Sequence, residues 1–225
     1  MAGLVEDLVP LRGRRILVTG DTGFKGAWLC LWLESLGARV FGFSLPPEQG
    51  SLFSRIRFGA EFTRRDGDIR DMNAIDSYVR HVEPEVVFHL AAQSLVLPSY
   101  DDPKATFDTN VGGSVCLLEA VRRSPSVRAL VYVTSDKCYS PQDLGRGYRE
   151  TDPLGGRDPY SASKAAAEIV FSAYASSFFN GKIGAASARS GNVVGGGDVS
   201  VHRLVPDCLL ALENKSEEHT SELQS

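Results

Sequence analysis

Two short stretches of the sequence carry a concentrated set of acid–base groups. The first reads TSDKCY and supplies a hydroxyl, a carboxyl and an ammonium group at Ser135, Asp136 and Lys137. The second reads YSASK and places Tyr160 and Lys164 four residues apart. In a helix, residues at this spacing lie on one face, so the ammonium group is expected beside the phenol. Together these groups are sufficient for redox and elimination chemistry in one pocket.

The chemistry expected of Tyr160 depends on its neighbour. A free tyrosine has a pKa of about 10, which is too high for a base near neutral pH. A nearby cation favours the phenolate, so we expect Lys164 to lower the pKa of Tyr160. A Tyr-x-x-x-Lys pair also arises by chance, and Asp136 and Lys137 have an alternative interpretation as a solvated ion pair. The elements that position these residues therefore decide between the interpretations.

A glycine-rich segment near the N-terminus predicts a phosphate-binding turn. Residues 15–19 form a β-branched apolar run typical of a buried strand, and glycines follow at positions 20, 23 and 26. A predicted helix ends at Gly37, and a second strand is predicted from Arg39 to Ser44. Such a turn brings backbone N–H groups and a helix N-terminus close to a pyrophosphate. The spacing is G-x-x-G-x-x-G rather than G-x-G-x-x-G, and a plain strand-to-helix turn is the alternative.

The rest of the sequence alternates strands and helices, which indicates a doubly wound, parallel α/β sheet of the Rossmann type. Further strands are predicted at 61–65, 85–91, 127–134 and 182–189, and helices at 72–81, 103–123 and from Pro159 onward. Asp68 or Asp71 is expected to cap the first of these helices and Asp158 the last. Ligands bind at the carboxyl ends of the strands in such sheets, which is where the Ser135 cluster falls.

Other conspicuous residues are expected to be structural. His89 ends a buried strand and is interpreted as a packed, hydrogen-bonded residue rather than a base. Phe24, Trp28 and Trp32 fall at helical spacing and are predicted to lie in the core. The sequence contains no cluster typical of metal ligands, so no metal site is predicted.

The composition argues against several classes of protein. The four cysteines have no C-x-x-C spacing, and the sequence contains neither a secretory signal nor an apolar run long enough to span a membrane, which favours a reducing cytoplasm. Blocks of Lys and Arg are absent, so neither nucleic acid nor a membrane is an expected partner.

Longer strings resemble a known enzyme family. Gly20–Gly26, His89–Gln93, Asn110–Gly113 and the Y-x-x-x-K pair together match the pattern of extended short-chain dehydrogenases/reductases that act on nucleotide sugars. Within that group, the strings GFKG, TSDKCY, GYRE, DPLGG, DPYSASK and GNVVGGGD are similar to those of the CDP-glucose 4,6-dehydratases. The resemblance covers roughly residues 14–214.

The resemblance implies a mechanism with NAD as cofactor and CDP-glucose as substrate. Tyr160 would take the proton of the sugar 4-hydroxyl while C4 gives up hydride, with Ser135 bonded to that hydroxyl and Lys164 holding the phenolate. The resulting ketone acidifies the C5 proton, so water can leave across C5 and C6 before hydride returns to C6. Asp136 aligns with the general acid of related dehydratases. Lys137 stands where most of them carry Glu, and it is the candidate base or the partner of the base.

The resemblance also implies the binding residues and the setting of the reaction. The cofactor-binding set is Gly20, Thr22, Gly23, Phe24, Lys25, Gly26, Asp68, Ile69, Leu90, Ala91, Ala92, Gln93, Asn110, Tyr160 and Lys164. The substrate-binding set is Ser135, Asn192 and Arg203, and Arg189 is a further candidate for the nucleotide phosphates. The implied setting is cytoplasmic deoxysugar biosynthesis for lipopolysaccharide O-antigen, with a homodimer or larger homo-oligomer for the complete protein.

The C-terminal residues are set apart from the fold. From Ser216 onward they match the translation of a sequencing-library adapter, so 215–225 is interpreted as a non-native tail and the natural protein is expected to continue past about Asn214. Residues 1–13 are interpreted as a lead-in, and 14–214 as an NAD-binding Rossmann domain with the start of a substrate region.

Departures from the family pattern leave alternatives open. The acidic residue that family members place after the second strand is missing, and Glu48 is the nearest acid. No arginine follows that strand, so NAD is expected rather than NADP. One alternative is an epimerase or reductase, which needs Tyr160, Ser135 and Lys164 but no acid and base for elimination. Another is a catalytically silent NAD-binding fragment, because the segment that closes over the nucleotide would be missing.

Overall fold

The computed structural model describes residues 11–142, 145–200 and 202–214, so most of the predicted lead-in and the predicted tail at 215–225 lie outside the described residues. Six strands form one sheet in which every pair of neighbours is parallel. They are β1 (Arg15–Thr19), β2 (Arg39–Ser44), β3 (Phe62–Asp66), β4 (Val86–His89), β5 (Ala129–Ser135) and β6 (Gly184–Ser190). Their order, β3-β2-β1-β4-β5-β6, is that of a Rossmann sheet. The predicted fold class is therefore confirmed.

Eight α-helices connect or follow these strands in the described ranges. They are α1 (Phe24–Ser35), α2 (Leu52–Arg55), α3 (Met72–Val82), α4 (Val96–Asp101), α5 (Pro103–Phe107), α6 (Gly113–Arg123), α7 (Pro159–Tyr174) and α8 (Leu204–Asn214). Asp71 caps α3 by accepting from two backbone amides, and Asp158 caps α7 by accepting from Ser161 N. Both predicted caps are confirmed, with Asp71 rather than Asp68 in the first case. No helix in these ranges has the length and apolar character needed to cross a membrane.

The core lies on both faces of the sheet because successive residues of a strand point to opposite sides. On one face, Ile16 and Val18 of β1 pack with Cys30 and Leu33 of α1. On the other face, Leu17 belongs to a larger cluster with residues of α3, α6 and α7. The sheet is thus covered on both sides, and the carboxyl ends of its strands remain as the edge at which side chains can meet a ligand.

The helix predicted over 103–123 is confirmed in its bounds, but it is not α-helical throughout. A π-helical turn, Asp108–Gly112, separates α5 from α6. Asn110 in this turn is almost fully buried and bonds to the backbone of Gln93, a tertiary contact that periodicity along the helix does not encode. Such turns often occur near functional sites.

The prediction that Trp28 and Trp32 lie in the core is also wrong. Each is 45% exposed, because α1 buries the face that carries Gly26, Ala27, Cys30 and Leu33. Trp28 Nε1 donates a hydrogen bond to Gly196 O at 3.0 Å, so this indole ties α1 to the segment after β6. Phe24 is half-buried.

Close backbone packing shapes the turn between β1 and α1. A Cβ on Gly26 would overlap Gly20 O, and a Cβ on Gly20 would lie 2.7 Å from Ala91 N. Gly20 also has a φ of +76°, a conformation that costs other residues free energy. The turn therefore needs glycine at both positions for reasons of packing as well as for access to a ligand.

We predict that Gly26→Ala lowers the free energy of unfolding by about 1–3 kcal/mol, because the new methyl group overpacks the turn. Urea denaturation followed by circular dichroism measures the change. Gly112→Ala is the matched control, since no atom lies within 4 Å of the Cβ position there and φ is ordinary. Equal urea midpoints for Gly26→Ala and the wild type would contradict the close packing.

Candidate active site

The carboxyl end of β5 carries the first group of predicted catalytic residues. Ser135 ends the strand, and a single 3-10 turn, Asp136–Cys138, follows it. Ser135 Oγ accepts a hydrogen bond from Lys137 N and donates one to Asp136 Oδ1, each at 3.2 Å. The hydroxyl is buried, the Asp136 side chain is exposed and Lys137 is half-buried. The turn therefore fixes the hydroxyl next to the carboxylate of Asp136, which can exchange protons with a ligand.

The start of α7 carries the second group. Tyr160 and Lys164 lie one turn apart, and they are only 8% and 7% exposed. The hydroxyl of Ser135 and the carboxylate of Asp136 both lie close enough to the phenol of Tyr160 to influence its pKa. The fold thus brings residues from two separate elements together at one edge of the sheet, as the sequence predicts.

The expected lowering of the pKa of Tyr160 is not found. Burial raises the pKa of this phenol, and the nearby hydroxyl of Ser135 opposes the rise. The negative charge of Asp136 raises the pKa further, whereas Arg203 lowers it. The prediction from spacing alone was wrong because it counted the neighbouring cation and left out the cost of placing a phenolate in a buried site.

Three basic side chains converge on the site, and we call Lys25, Lys164 and Arg203 the cation cluster. Burial, and then the charge of Lys25, lower the pKa of Lys164 to about 8. Burial and the charge of Arg203 lower the pKa of Lys25 in turn. Arg203 Nη1 lies 3.0 Å from Asp198 Oδ2. Neighbouring positive charges that lower one another's pKa values in this way are typical of a functional site, and an anionic ligand would relieve their repulsion.

The turn before α1 has the features of a pyrophosphate site. Gly23 occupies the N-cap position, and among the described residues no side chain caps the helix. The backbone amides of the first turn, which form the positive end of the helix dipole, therefore have no side-chain acceptor. Lys25 lies in this turn. The residues present fit a dinucleotide, because uncapped amides and nearby cations are what its phosphates require.

The segment after β4 is held in place by Asn110. Its Oδ1 accepts from Gln93 N at 2.8 Å, and its Nδ2 donates to Gln93 O at 2.9 Å and to Ser163 Oγ at 2.8 Å. Asn110 therefore links the stretch Leu90–Gln93 to α7, and its side chain is engaged by the protein. This arrangement favours a positioning role for Asn110 over the direct contact with the cofactor implied by the resemblance.

His89 is packed and hydrogen-bonded, and that prediction is confirmed. Its Nδ1 lies 2.6 Å from Thr19 Oγ1, and its Nε2 lies 3.4 Å from Ser114 Oγ. Burial and the charge of Lys164 lower the pKa of His89 to about 3, so the ring is neutral near pH 7. A neutral, enclosed imidazole is a structural group here.

Three further residues of the predicted binding sets, Asp68, Ile69 and Asn192, have defined surroundings. Asp68 forms an ion pair with Arg70, whose hydrogen bonds lower the pKa of that carboxyl. Ile69 is buried against Gly113. Asn192 is exposed in the segment after β6, next to Gly191, whose Cβ position is 3.5 Å from Asp136 Oδ2.

Glu168 is a residue that the sequence analysis missed. It lies four residues beyond Lys164, so a continuation of the i, i+4 spacing was the available signal. The carboxylate is nearly fully buried and accepts hydrogen bonds from Thr134 on β5 and from Ser187 and Arg189 on β6. Burial opposes its ionisation, but these bonds lower the pKa of Glu168 overall. Arg189, a candidate for substrate phosphates, is instead paired with this carboxylate.

Comparison with known proteins decides the family. The model of the NAD dependent epimerase/dehydratase family matches residues 16–222. This chain belongs to that family. It is 47% identical over 213 residues to CDP-glucose 4,6-dehydratase of Salmonella typhimurium, an alignment that covers 92% of this chain and 59% of the relative. The chain therefore spans less than two thirds of the length of this curated relative.

Solved structures support the same assignment. The dTDP-glucose 4,6-dehydratase of Bacillus anthracis in complex with NAD superposes with a TM-score of 0.76 at 25% identity, over 90% of this chain and 62% of that one. UDP-glucose 4-epimerase of Thermus thermophilus, also in complex with NAD, gives a TM-score of 0.71 at 30% identity, over 83% of this chain and 58% of that one. Both share the fold of this chain.

The lowered pKa of Lys164 predicts a pH-dependent stability. Between about pH 8 and the unperturbed value of 10.5, the unfolded chain binds this proton and the folded chain releases it, so stability rises with pH. The gain is absent below about pH 8 and complete above 10.5, and it amounts to roughly 3 kcal/mol at most. We expect wild type to gain stability relative to Lys164→Met over this range in urea denaturation. Parallel pH profiles for the two proteins would contradict the shift.

Proposed function

We propose that this chain provides the cofactor site and the reacting side chains of a nucleotide-sugar 4,6-dehydratase that acts on CDP-glucose. The observation that carries the proposal is the meeting of Ser135, Asp136 and Tyr160 at the carboxyl end of β5. A hydroxyl close to a phenol suits oxidation of an alcohol, and a carboxyl beside them suits protonation of a leaving hydroxyl. The 47% identical relative named for this activity supports the choice of sugar nucleotide.

The cofactor we propose is NAD, as in the complexes of the two structural relatives. The amides at the start of α1 and the side chain of Lys25 would hold its phosphates, and Lys164 would lie at the nicotinamide ribose. When bound, NAD supplies a hydride acceptor for sugar C4 and a hydride donor for C6. All other chemistry falls to the side chains of the chain itself.

Tyr160 is the proposed base for the 4-hydroxyl. Burial makes its phenolate costly, and Arg203 offsets part of that cost. The hydroxyl of Ser135 lies beside this phenol, so it can orient the alcohol that loses its proton. Loss of the proton and loss of hydride from C4 together produce a ketone, which acidifies the proton at C5.

Asp136 and Lys137 are proposed for the elimination. Asp136 accepts a hydrogen bond from Ser135 and its side chain is exposed, so in its acid form it would give a proton to the departing 6-hydroxyl. Lys137 is half-buried in the same turn, and its neutral form can accept the C5 proton. Proton transfers of this kind are each worth about 10²–10⁴-fold in rate. An epimerase needs no such pair, so the turn favours the dehydratase.

The proposal is tested by incubating the chain with NAD and CDP-glucose. Loss of one water from the sugar nucleotide, detected by mass spectrometry as a 4-keto-6-deoxy product, supports dehydration. Absorbance of NADH without loss of water indicates oxidation alone and contradicts the assigned elimination. An isomer of unchanged mass identifies an epimerase. Binding of NAD without any reaction identifies a silent cofactor-binding fragment.

Lys137→Ala separates the elimination from the oxidation. We expect dehydration to fall by about 10²-fold or more while the dissociation constant for NAD stays within about threefold, since Lys137 has no proposed contact with the cofactor. Lys182→Ala is the control, because it removes the same charge from an exposed position. Near-wild-type dehydration by Lys137→Ala would refute the role of this residue.

A further inference from the structure

A partly buried charged network lies at the carboxyl ends of β2 and β3, next to the glycine-rich turn. We call Asp21, Ser44, Arg64 and Asp66 the Arg64 network. Arg64 Nε donates to Asp21 Oδ2 at 2.9 Å, and Arg64 Nη1 donates to Asp66 Oδ1 at 2.5 Å. Ser44 Oγ donates to Asp21 Oδ1 at 2.8 Å. One guanidinium is thus shared between two carboxylates.

This network occupies the place where a Rossmann fold recognises the adenosine ribose. The residue about 20 positions after the glycines contacts the ribose 2′-hydroxyl, or a nearby arginine accepts the 2′-phosphate of NADP. Here that position falls at Ser44 and Leu45, and no acid occupies it. Arg64 Nη2 lies 3.4 Å from Ser44 Oγ and 3.3 Å from Leu45 O. No arginine follows β2 in the sequence, but Arg64 reaches this place from β3.

The carboxylates decide what Arg64 can bind. One cation facing two carboxylates leaves the group with a net negative charge, and a phosphomonoester adds about −1.5 to −2 at neutral pH. A 2′-phosphate can therefore be accepted only if a carboxylate releases the guanidinium. Asp21 is fully buried, whereas the side chain of Asp66 is 56% exposed. Asp66 is the partner that can leave or be removed without opening the core.

The surrounding residues fix Arg64 in this place. Gly42 on β2 lies against both Asp21 and Arg64, since a Cβ there would overlap Asp21 Oδ2 and come 3.0 Å from Arg64 Cβ. The guanidinium also lies over the ring of Phe53, at 5.3 Å from its centre. Arg64 thus remains in position when one of its hydrogen-bond partners is lost.

We propose that Asp66 determines the cofactor preference of this chain: by occupying Arg64 it excludes the 2′-phosphate of NADP, and its removal uncovers a 2′-phosphate site. The inference rests on the proposed function in one respect, which is that the chain binds a nicotinamide dinucleotide. It assigns the discrimination to the end of β3 instead of the missing acid after β2.

The test is the binding of NAD and NADP to the purified chain, measured by isothermal titration calorimetry without turnover. Asp66→Asn should bind NADP about tenfold tighter or more than wild type does, because a charge-assisted bond to phosphate becomes available. Its affinity for NAD should change by less than about threefold. Asp66→Glu, which keeps the carboxylate, should retain the wild-type preference.

Two further variants make the result specific to Arg64. Glu61→Gln removes a negative charge from an exposed residue next to the other end of β3, and it should leave NADP binding unchanged. Adding Arg64→Gln to Asp66→Asn should abolish the gain, with circular dichroism to verify folding. If that double variant does not fold, the contrast between Asp66→Asn and Asp66→Glu still decides the matter.

The outcomes separate the two proposals. If wild type binds NAD but Asp66→Asn shows no gain in affinity for NADP, the role of Asp66 is overturned and the proposed function stays intact. An equal gain in Glu61→Gln overturns it as well, because the effect would be one of overall charge. Wild type that binds neither nucleotide overturns the proposed cofactor and, with it, this inference.

Discussion

The site depends on holding a buried ammonium group and a buried phenol on one face of α7. Burial disfavours the charged forms of both Lys164 and Tyr160, so the ammonium ion and the phenolate each need neighbouring groups to stabilise their charge. Glu168, one turn further along the helix, partly compensates Lys164 by raising its pKa. The same carboxylate bonds to side chains on β5 and β6. One residue therefore balances the charge of the helix and fixes the helix against the two strands that present the other reacting groups.

The order of the strands explains why the groups meet. β1 and β4 are neighbours at the point where the sheet reverses its direction of winding, and a crevice opens at their carboxyl ends. The glycine-rich turn follows β1, the stretch Leu90–Gln93 follows β4, and Ser135 ends β5. Residues that are more than a hundred positions apart in sequence thus line one edge. The uncapped start of α1 adds a favourable potential for phosphate at that edge.

Local sequence signals predicted the parts of the fold that depend on local physics. The strands, the turn after β1 and the caps Asp71 and Asp158 follow from hydrophobic runs and from side chains that bond to nearby amides. The family motifs led to the groups at the end of β5 and at the start of α7. The exposure of Trp28, the pKa of Tyr160 and the approach of Arg64 to β2 were missed. Each depends on which distant segment packs against the residue, and spacing along one element carries no information about that.

The π-helical turn between α5 and α6 has a consequence for the whole connection. Each residue of an α-helix advances by about 100°, so one additional residue in a turn rotates everything that follows relative to what precedes. α5 contacts α7, whereas α6 contacts both α3 and α7. The π-helical turn changes the rotation of α6 relative to α5, so one continuous helical segment can pack against two different sets of neighbours. Removing a single residue from it would rotate α6 relative to the sheet, so the length of this turn is constrained in addition to the identity of Asn110.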